Sequence, residues 1–389
     1  MTSLLLFFGV LSSQFYLFSS GVPQPSHFII TAFIFIVFIK SVKLRRYSFF
    51  TYFKPSFFLY SFVAYIIVLN ISFSIYYQSF DFLTDVIFSV FNILLFTTVT
   101  IFLVKNTYEY NRVFIVYLSF LSVLVLFLIC TLGFSRQNFG IRYNGLFNDP
   151  NQMSYWVICV YAIFITFSNR LRFDFLLLCL SVYIIYLSES RSGMLAISFF
   201  VISLLIKLYS GFKVKRYRYI LASISIALLC SSIFYLKGVN SNQKNIGLPN
   251  SDKVSSLQNR VLNTDIESQL RIRGYMRPFD YPEFLFFGAG KGLDERFNST
   301  VEIHSSWVGL LFYYGIIGFF LFLGVYFYYI SISDWYMKFC MLAPLFYGIS
   351  TYGLRTPIFW FFLAVTIYSI LYKRKISSDH FYSNENSIN

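Results

Sequence analysis

The stretch VFIVYLSFLSVLVLFLICTLGF, residues 113–134, carries no charged side chain. An α-helix rises about 1.5 Å per residue, so a run of this length crosses the roughly 30 Å hydrocarbon core of a bilayer. Similar runs recur along the 389 residues, of which 57% are hydrophobic and 12% charged. A soluble core could not absorb so many, because this composition lacks the polar residues for an outer shell. We therefore predict an all-α, polytopic transmembrane helical bundle that forms a single domain over 1–389.

About twelve spans are predicted from these runs. The first run has no basic start and no small-residue cleavage pattern, so we interpret it as a retained helix and not as a signal peptide. The predicted spans cover approximately 3–19, 27–42, 56–77, 82–104, 113–134, 151–169, 173–188, 193–210, 219–236, 305–330, 338–353 and 357–372.

The basic residues predict the orientation of the spans. A formal charge of +14 would suggest nucleic acid as the partner of a soluble domain. In a membrane protein the same excess is explained by retention of Lys and Arg on the cytoplasmic side, so we expect no nucleic-acid partner. Placing both termini in the cytoplasm keeps all the basic clusters between spans on that side. These clusters are Lys40 to Arg46, Lys105 with Arg112, Arg170 with Arg172, Lys213 to Arg218, and Lys373 to Lys375.

One connection, residues 237–303 between spans nine and ten, is a large loop that faces the periplasm or exterior in this topology. Loops of this length in compact proteins are usually functional or lid-like. Its sequence GAGKG (288–292) lacks the Ser or Thr after the lysine, and the preceding strand, of a nucleotide-binding loop. We interpret GAGKG as a flexible turn.

A few basic residues lie on the outward side, close to predicted helix starts. There, helices that run inward present free N–H groups and the positive end of the helix dipole, and Asp149 with Pro150 can cap one such start. Arginine beside a helix start favours a phosphate-like anion, because its planar guanidinium binds oxygens in pairs. Of the outward basic residues, Arg142, Arg191, His304 and Arg355 lie near predicted helix starts, and Arg271, Arg273 and Arg277 lie in the long loop.

Each candidate also has a plainer interpretation. Arg142 could merely hold Asp149 or Asn151, and Arg191 could pair with Glu189 or reach the lipid headgroups. The loop arginines, Arg277 among them, could be solvated surface charges. His304 alone is as often an interfacial hydrogen-bonding residue as a catalyst, and we interpret Arg355 as mainly structural.

Four sequence elements, taken in order, resemble the O-antigen polymerase and O-antigen ligase superfamily. They are RYNGLFNDPNQ, SRSG at a helix start, RIRGY followed by FFGAGKG in the long loop, and EIHSSWVGLLFYYGIIGF. The resemblance covers roughly residues 135–330. It implies catalytic roles for Arg142, Arg191, Arg271 and His304. Substrate binding is expected of Asn144, Asn151, Arg273 and Glu302.

The chain departs from this family at two of these elements. Ser305 stands where the family more often has an asparagine after the histidine, and Tyr275 stands where a tryptophan is common. The choice between Arg271 and Arg273 as the functional loop arginine therefore stays open.

The resemblance implies a glycosyltransferase of the bacterial inner membrane whose active site faces the periplasm or exterior. It would move a growing O-antigen or capsule-type glycan from undecaprenyl diphosphate onto a new lipid-linked repeat unit. The arginines would stabilise the departing diphosphate, and His304 or Glu302 would accept the proton of the attacking hydroxyl. No outward Asp/Glu cluster resembles a Mg²⁺ site, so we expect no metal or other cofactor. Expected partners are the lipid-linked donor and acceptor, the bilayer, a chain-length regulator and a flippase.

Two other functions fit the same pattern. An O-antigen ligase would use the same donor but attach the glycan to lipid A-core, and the motifs scarcely separate it from a polymerase. A polysaccharide-unit flippase or other transporter should place charged or helix-breaking residues at the middle of the bilayer. The predicted spans are almost free of charge, which favours an enzyme over a transporter. A non-catalytic assembly protein is a further alternative.

Overall fold

A computed structural model describes residues 1–18, 22–42, 56–137, 142–211, 270–298 and 302–385. In these ranges every regular element is helical. The α-helices are α1 (Thr2–Ser12), α2 (Pro25–Val42), α3 (Phe57–Tyr77), α4 (Asp81–Lys105), α5 (Tyr108–Thr131), α6 (Pro150–Phe167), α7 (Leu171–Ser188), α8 (Arg191–Gly211), α9 (Arg277–Asp280), α10 (Ser306–Ile332), α11 (Trp335–Tyr347) and α12 (Pro357–Glu385).

Six of these helices, α3, α4, α5, α7, α8 and α10, are long and apolar enough to cross a membrane. The prediction of a helical membrane protein is therefore confirmed. The total of about twelve spans stays a prediction, because α1 and α11 are only 11 and 13 residues long and predicted span 219–236 lies outside the described residues.

The centre of the bundle is α6. Sixteen of its 18 residues are buried, and it packs against α5, α7, α8, α11 and α12. Its start is fixed as the sequence predicts, because the Asp149 carboxylate accepts a hydrogen bond from the Asn151 amide at 2.7 Å and Pro150 occupies the first turn. The loop that carries Arg142 is thereby joined to the most buried helix.

The bundle has two polar ends. At one end Lys207 lies 2.8 Å from Asp174, and the rings of Tyr108 and Tyr372 stack with centroids 4.3 Å apart. Ser3 near the start of α1 also lies at this end, 2.6 Å from the Tyr110 hydroxyl. The opposite end carries the starts of α6, α8, α10 and α12, and we call it the loop end. The start of α1 and the basic part of α12 thus share one end, and its assignment to the cytoplasm stays a prediction.

Residues 270–298 and 302–303 are the described parts of the predicted large loop, and they pack against the loop end. We call residues 270–298 the outer segment, after the side of the membrane that the sequence predicts for them. Gly315 has φ +63° and interrupts the helical geometry of α10. The interruption leaves the carbonyls of Phe312 and Tyr313 to accept hydrogen bonds from Ala289 and Gly290, each at 2.8 Å. The interpretation of GAGKG as a flexible turn was wrong. Its glycines allow a close backbone approach to α10, which the sequence pattern alone does not indicate.

Gly315→Ala should loosen this packing. A Cβ at position 315 would collide with the Phe286 carbonyl oxygen and lie 2.6 Å from the Gly288 amide nitrogen, and alanine disfavours the positive φ. We expect a loss of about 2 kcal/mol or more, seen as a lower thermal unfolding midpoint in nanodiscs. Gly324→Ala is the matched control, because a Cβ at Gly324 on the same helix meets no atom within 4 Å. Equal midpoints for the two variants would contradict the packing described.

Candidate functional site

Arg142 lies at the loop end and joins two helices. Its Nε donates to the Ser188 carbonyl at 3.0 Å, and its Nη2 donates to the Asn151 side-chain oxygen at 2.9 Å. The amide of Tyr143 donates to the Leu187 carbonyl at 3.0 Å. The half-buried guanidinium is thus held between the end of α7 and the start of α6. Asn151, a predicted substrate-binding residue, orients it.

Arg191 begins α8, directly after the turn that Arg142 contacts. Glu189 takes a positive φ of 51° in this turn, and Ser190 Oγ accepts from the Gly193 amide at 3.3 Å. The Tyr347 hydroxyl lies 2.8 Å from Ser190 Oγ and donates to the Asn151 carbonyl at 2.8 Å. The structure therefore places the exposed Arg191 beside the segments that hold Arg142.

Arg271, Arg273 and His304 lie on two segments that meet at the end of α11. The His304 amide donates to the Arg273 carbonyl at 3.3 Å, and the Ser306 amide donates to the Gly348 carbonyl at 2.7 Å. The Tyr275 hydroxyl donates to the Ile349 carbonyl at 2.7 Å. The side chains of Arg271 and His304 are exposed there. Since Tyr347 also contacts the start of α6 and the α7–α8 turn, all four predicted catalytic residues lie on connected segments of the loop end.

Asn144 has a different position from the other predicted substrate-binding residues. Its side chain is fully buried. Its Oδ1 accepts from Ser135 Oγ at 2.7 Å, and its Nδ2 donates to the Phe147 carbonyl at 2.6 Å. In this structure Asn144 shapes the loop that carries Arg142.

Sequence reasoning missed Lys291, whose side chain is only 7% exposed. Its Nζ lies 2.7 Å from a Glu302 carboxylate oxygen and 3.8 Å from a carboxylate oxygen of Asp85. The same ammonium lies 3.8 Å from the ring centroid of Tyr352. Asn70 completes the site, accepting from the Lys291 amide at 2.8 Å and donating to Asp85 at 3.0 Å. The outer segment is thereby bound to α4 by an ion pair and to α3 by a hydrogen bond.

Glu302 lies between two cations, because Arg355 Nη1 is 3.2 Å from the same carboxylate oxygen that Lys291 contacts. Burial raises the pKa of Glu302, but Lys291 and Arg355 outweigh it and hold this pKa at about 2. A general base works best with a pKa near the operating pH. Of the two predicted proton acceptors, Glu302 is therefore the less suitable, and His304 is the better candidate.

Two more arginines of the outer segment hold it in place. Arg277 is 4% exposed and lies 2.5 Å from Asp294, whose carboxylate also accepts from the Tyr313 hydroxyl at 3.0 Å. The interpretation of Arg277 as a solvated charge was wrong. Arg296 donates to the carbonyls of Ala289 and Gly290. Its guanidinium also lies 4.6–5.2 Å from the ring centroids of Phe73, Tyr77, Phe82 and Phe297.

One signal in the sequence could have revealed the Lys291 site. Asp85 is the only charged residue in predicted span 82–104, and an acid within a span requires a cation or a hydrogen-bond donor. Lysine in a glycine-rich segment is a suitable partner, but 206 residues separate the two positions. A single sequence does not indicate that Asp85 and Lys291 are in contact.

No protein-family model matches this chain, and a comparison with curated proteins finds no significant match. The resemblance to the O-antigen polymerase and ligase superfamily therefore stays a prediction. Among the described residues, no group of three or more His, Cys, Asp or Glu side chains could hold a metal ion. The expectation of a metal-independent site also stays a prediction.

Lys291→Gln should destabilise the protein. Removing the ammonium leaves Asp85 buried without its cation and leaves Glu302 with Arg355 alone. Breaking one side of a buried ion pair costs about 3–5 kcal/mol, and the partial exposure of Glu302 favours the lower figure, about 3 kcal/mol. The measurement is thermal unfolding in nanodiscs. Lys338→Gln is the control, since Lys338 stacks on the exposed Trp335, and a similar loss in both variants would refute the role of Lys291.

Glu302 should make stability depend on pH in the acid range. Because its pKa is lowered from 4.5 to about 2 in the folded protein, its ion pairs add stability that is fully present above about pH 4.5. This stability is lost as the pH falls through 2. The difference in unfolding midpoint between wild type and Glu302→Gln should be constant from pH 7 to about 4.5 and then shrink. A difference that does not change down to pH 3 would rule out this assignment.

Proposed function

We propose that this protein is a metal-independent membrane glycosyltransferase that polymerises undecaprenyl-diphosphate-linked repeat units at the outer face of the bacterial inner membrane. The observation that carries the proposal is the gathering of cations at one end of a membrane bundle. Arg142, Arg191, Arg271 and Arg273 come from three separate stretches of the chain, and packing brings these stretches to connected positions around Tyr347.

A diphosphate is the ligand that this end suits best. Guanidinium groups and helix starts bind phosphate oxygens, and the starts of α6, α8, α10 and α12 all lie here. In glycosyl transfer from a lipid diphosphate, negative charge grows on the leaving diphosphate as the bond to the anomeric carbon breaks. Fixed cations stabilise this charge.

The proposed reaction assigns a role to each group. Arg142 and Arg191 hold the departing diphosphate, and the 270–275 turn supplies Arg271 or Arg273 to the same group. A hydroxyl of the acceptor glycan attacks the anomeric carbon, and His304 accepts its proton. General-base assistance of this kind contributes about 10²–10⁴ in rate.

The distribution of charge within the membrane helices supports an enzyme over a transporter. In the six membrane-length helices, the charged side chains lie within about two turns of a helix end. Transporters place charged groups near the middle of the bilayer, where their substrate passes. The one helix break described in these six helices, at Gly315 in α10, frees carbonyls that are bonded to the amides of Ala289 and Gly290.

Deletion of the gene tests the proposal in cells. For a polymerase, gel analysis of the surface glycan should show single repeat units on the core in place of the ladder. Polymer that accumulates on undecaprenyl diphosphate would instead indicate a ligase. Repeat units retained in the cytoplasmic leaflet would indicate a transporter and would refute both glycosyltransferase functions.

Arg142→Lys should reduce polymerisation by about a hundredfold or more. Lysine keeps the positive charge but cannot contact Ser188, Asn151 and a diphosphate with one planar group. Chain length on gels and the initial rate with purified protein measure the effect. Arg136→Lys is the matched control, because Arg136 also binds backbone carbonyls at the loop end, those of Leu17 and Phe18. A normal rate for Arg142→Lys in a folded protein would exclude Arg142 from the diphosphate site.

A further inference from the structure

Three charged side chains from separate segments, Lys291, Glu302 and Arg355, are in contact at the partly exposed side of the Lys291 site. The Glu302 carboxylate, just before α10, lies 2.7 Å from Lys291 Nζ and 3.2 Å from Arg355 Nη1. Lys291 belongs to the outer segment, and Arg355 lies two residues before the first residue of α12. The two cations therefore flank one carboxylate beside a helix start.

The two carboxylates near Lys291 differ in exposure. The side chain of Asp85 is 7% exposed and is fixed by Asn70 and Tyr314. The side chain of Glu302 is 35% exposed, and that of its partner Arg355 is 25% exposed. Glu302 is thus the carboxylate that can leave into solvent, whereas Asp85 is the permanent counter-ion of Lys291.

A phosphate group satisfies the same two cations as a carboxylate. Both anions present oxygens in geometries that guanidinium and ammonium groups recognise. A diphosphate carries more negative charge than the single carboxylate, and the start of α12 adds free amide groups beside Arg355. With Glu302 displaced, Lys291, Arg355 and Asp85 leave a net charge of +1 to receive the anion.

We propose that Lys291 and Arg355 form a binding site for a diphosphate, and that Glu302 occupies this site when no ligand is bound. The diphosphate takes the position of the carboxylate, and Glu302 turns out to solvent. None of its three residues belongs to the Arg142 or Arg191 segments, so it provides a second anion site at the loop end.

The natural ligand follows from the proposed function and rests on it. A polymerase must hold two lipid-linked glycans at once, one as donor and one as acceptor. The Arg142 side holds the diphosphate that leaves, and the Lys291–Arg355 site holds the diphosphate that stays on the acceptor. Binding of a diphosphate as such does not depend on this assignment.

Inorganic pyrophosphate is the probe for the site. Its affinity is measured by calorimetry on the full chain in nanodiscs of zwitterionic lipid. Glu302→Gln should bind pyrophosphate at least about tenfold more tightly than wild type, because the competing carboxylate is removed. Glu295→Gln is the matched control, since Glu295 is exposed on the outer segment, and it should leave the affinity unchanged. Arg355→Gln in the Glu302→Gln background should abolish the gain.

An affinity of Glu302→Gln that equals or falls below that of wild type, measured below the unfolding midpoint of the variant, overturns the proposal. Should Glu302→Gln fail to fold, Glu302→Asp replaces it. This variant keeps the charge but reaches one methylene less far, so it should bind pyrophosphate more tightly than wild type by a smaller factor. An affinity no higher than that of wild type overturns the proposal in the same way.

The source of the diphosphate is tested by competition. Undecaprenyl diphosphate added to the nanodiscs should displace pyrophosphate from Glu302→Gln, and failure to displace it contradicts a lipid ligand. The outcomes also separate the two proposals. Tight pyrophosphate binding by a protein without transferase activity removes the proposed function alone, whereas polymerisation without the Glu302→Gln gain removes this inference alone.

Discussion

The buried ammonium of Lys291 is the group on which the arrangement of the loop end depends. It binds Asp85 on α4, Glu302 before α10 and the ring of Tyr352 before α12. Three elements that are distant in sequence are thus fixed by one charge. A buried charge that lost these partners would be costly, so Lys291 links the outer segment to the bundle.

The backbone of the outer segment explains how lysine reaches this position. The break at Gly315 exposes carbonyls of α10, and the glycines beside Lys291 come close enough to use them. Two arginines then hold the residues that follow Lys291. Arg296 lies over the ring of Phe297, and Arg277 forms an ion pair with Asp294. With the segment held in this way, the 270–275 turn and His304 meet the end of α11, next to the segments that hold Arg142.

Much of the fold could be predicted from the sequence, because apolar runs of membrane length dictate helices whatever their neighbours are. The start of α6 at Asp149 and Pro150 was predictable for the same reason, since capping is local. The position of Lys291 was not, because its partners lie in other helices and a single sequence does not show which segments meet.

The candidate site was predictable in part. Arg142, Arg191, Arg271 and His304 were predicted from motifs, and the structure places them on connected segments. The burial of Asn144 and the pairing of Glu302 depend on packing, which motifs do not encode. Glu302 was predicted as a substrate-binding residue or base, but between two cations it is a strongly ionised counter-ion. That Glu302 is a counter-ion follows only from the positions of Lys291 and Arg355, which the structure supplies.

The proposed function requires the loop end to transfer a glycan from one lipid diphosphate to the glycan of another. The most direct test is to supply purified protein in nanodiscs with one substrate, an undecaprenyl-diphosphate-linked repeat unit, and to analyse the products by mass spectrometry. We expect a ladder of lipid-linked oligomers, with one undecaprenyl diphosphate released for each bond formed. A purified, folded protein that releases no undecaprenyl diphosphate, or that does so only when lipid A-core is added, would contradict it.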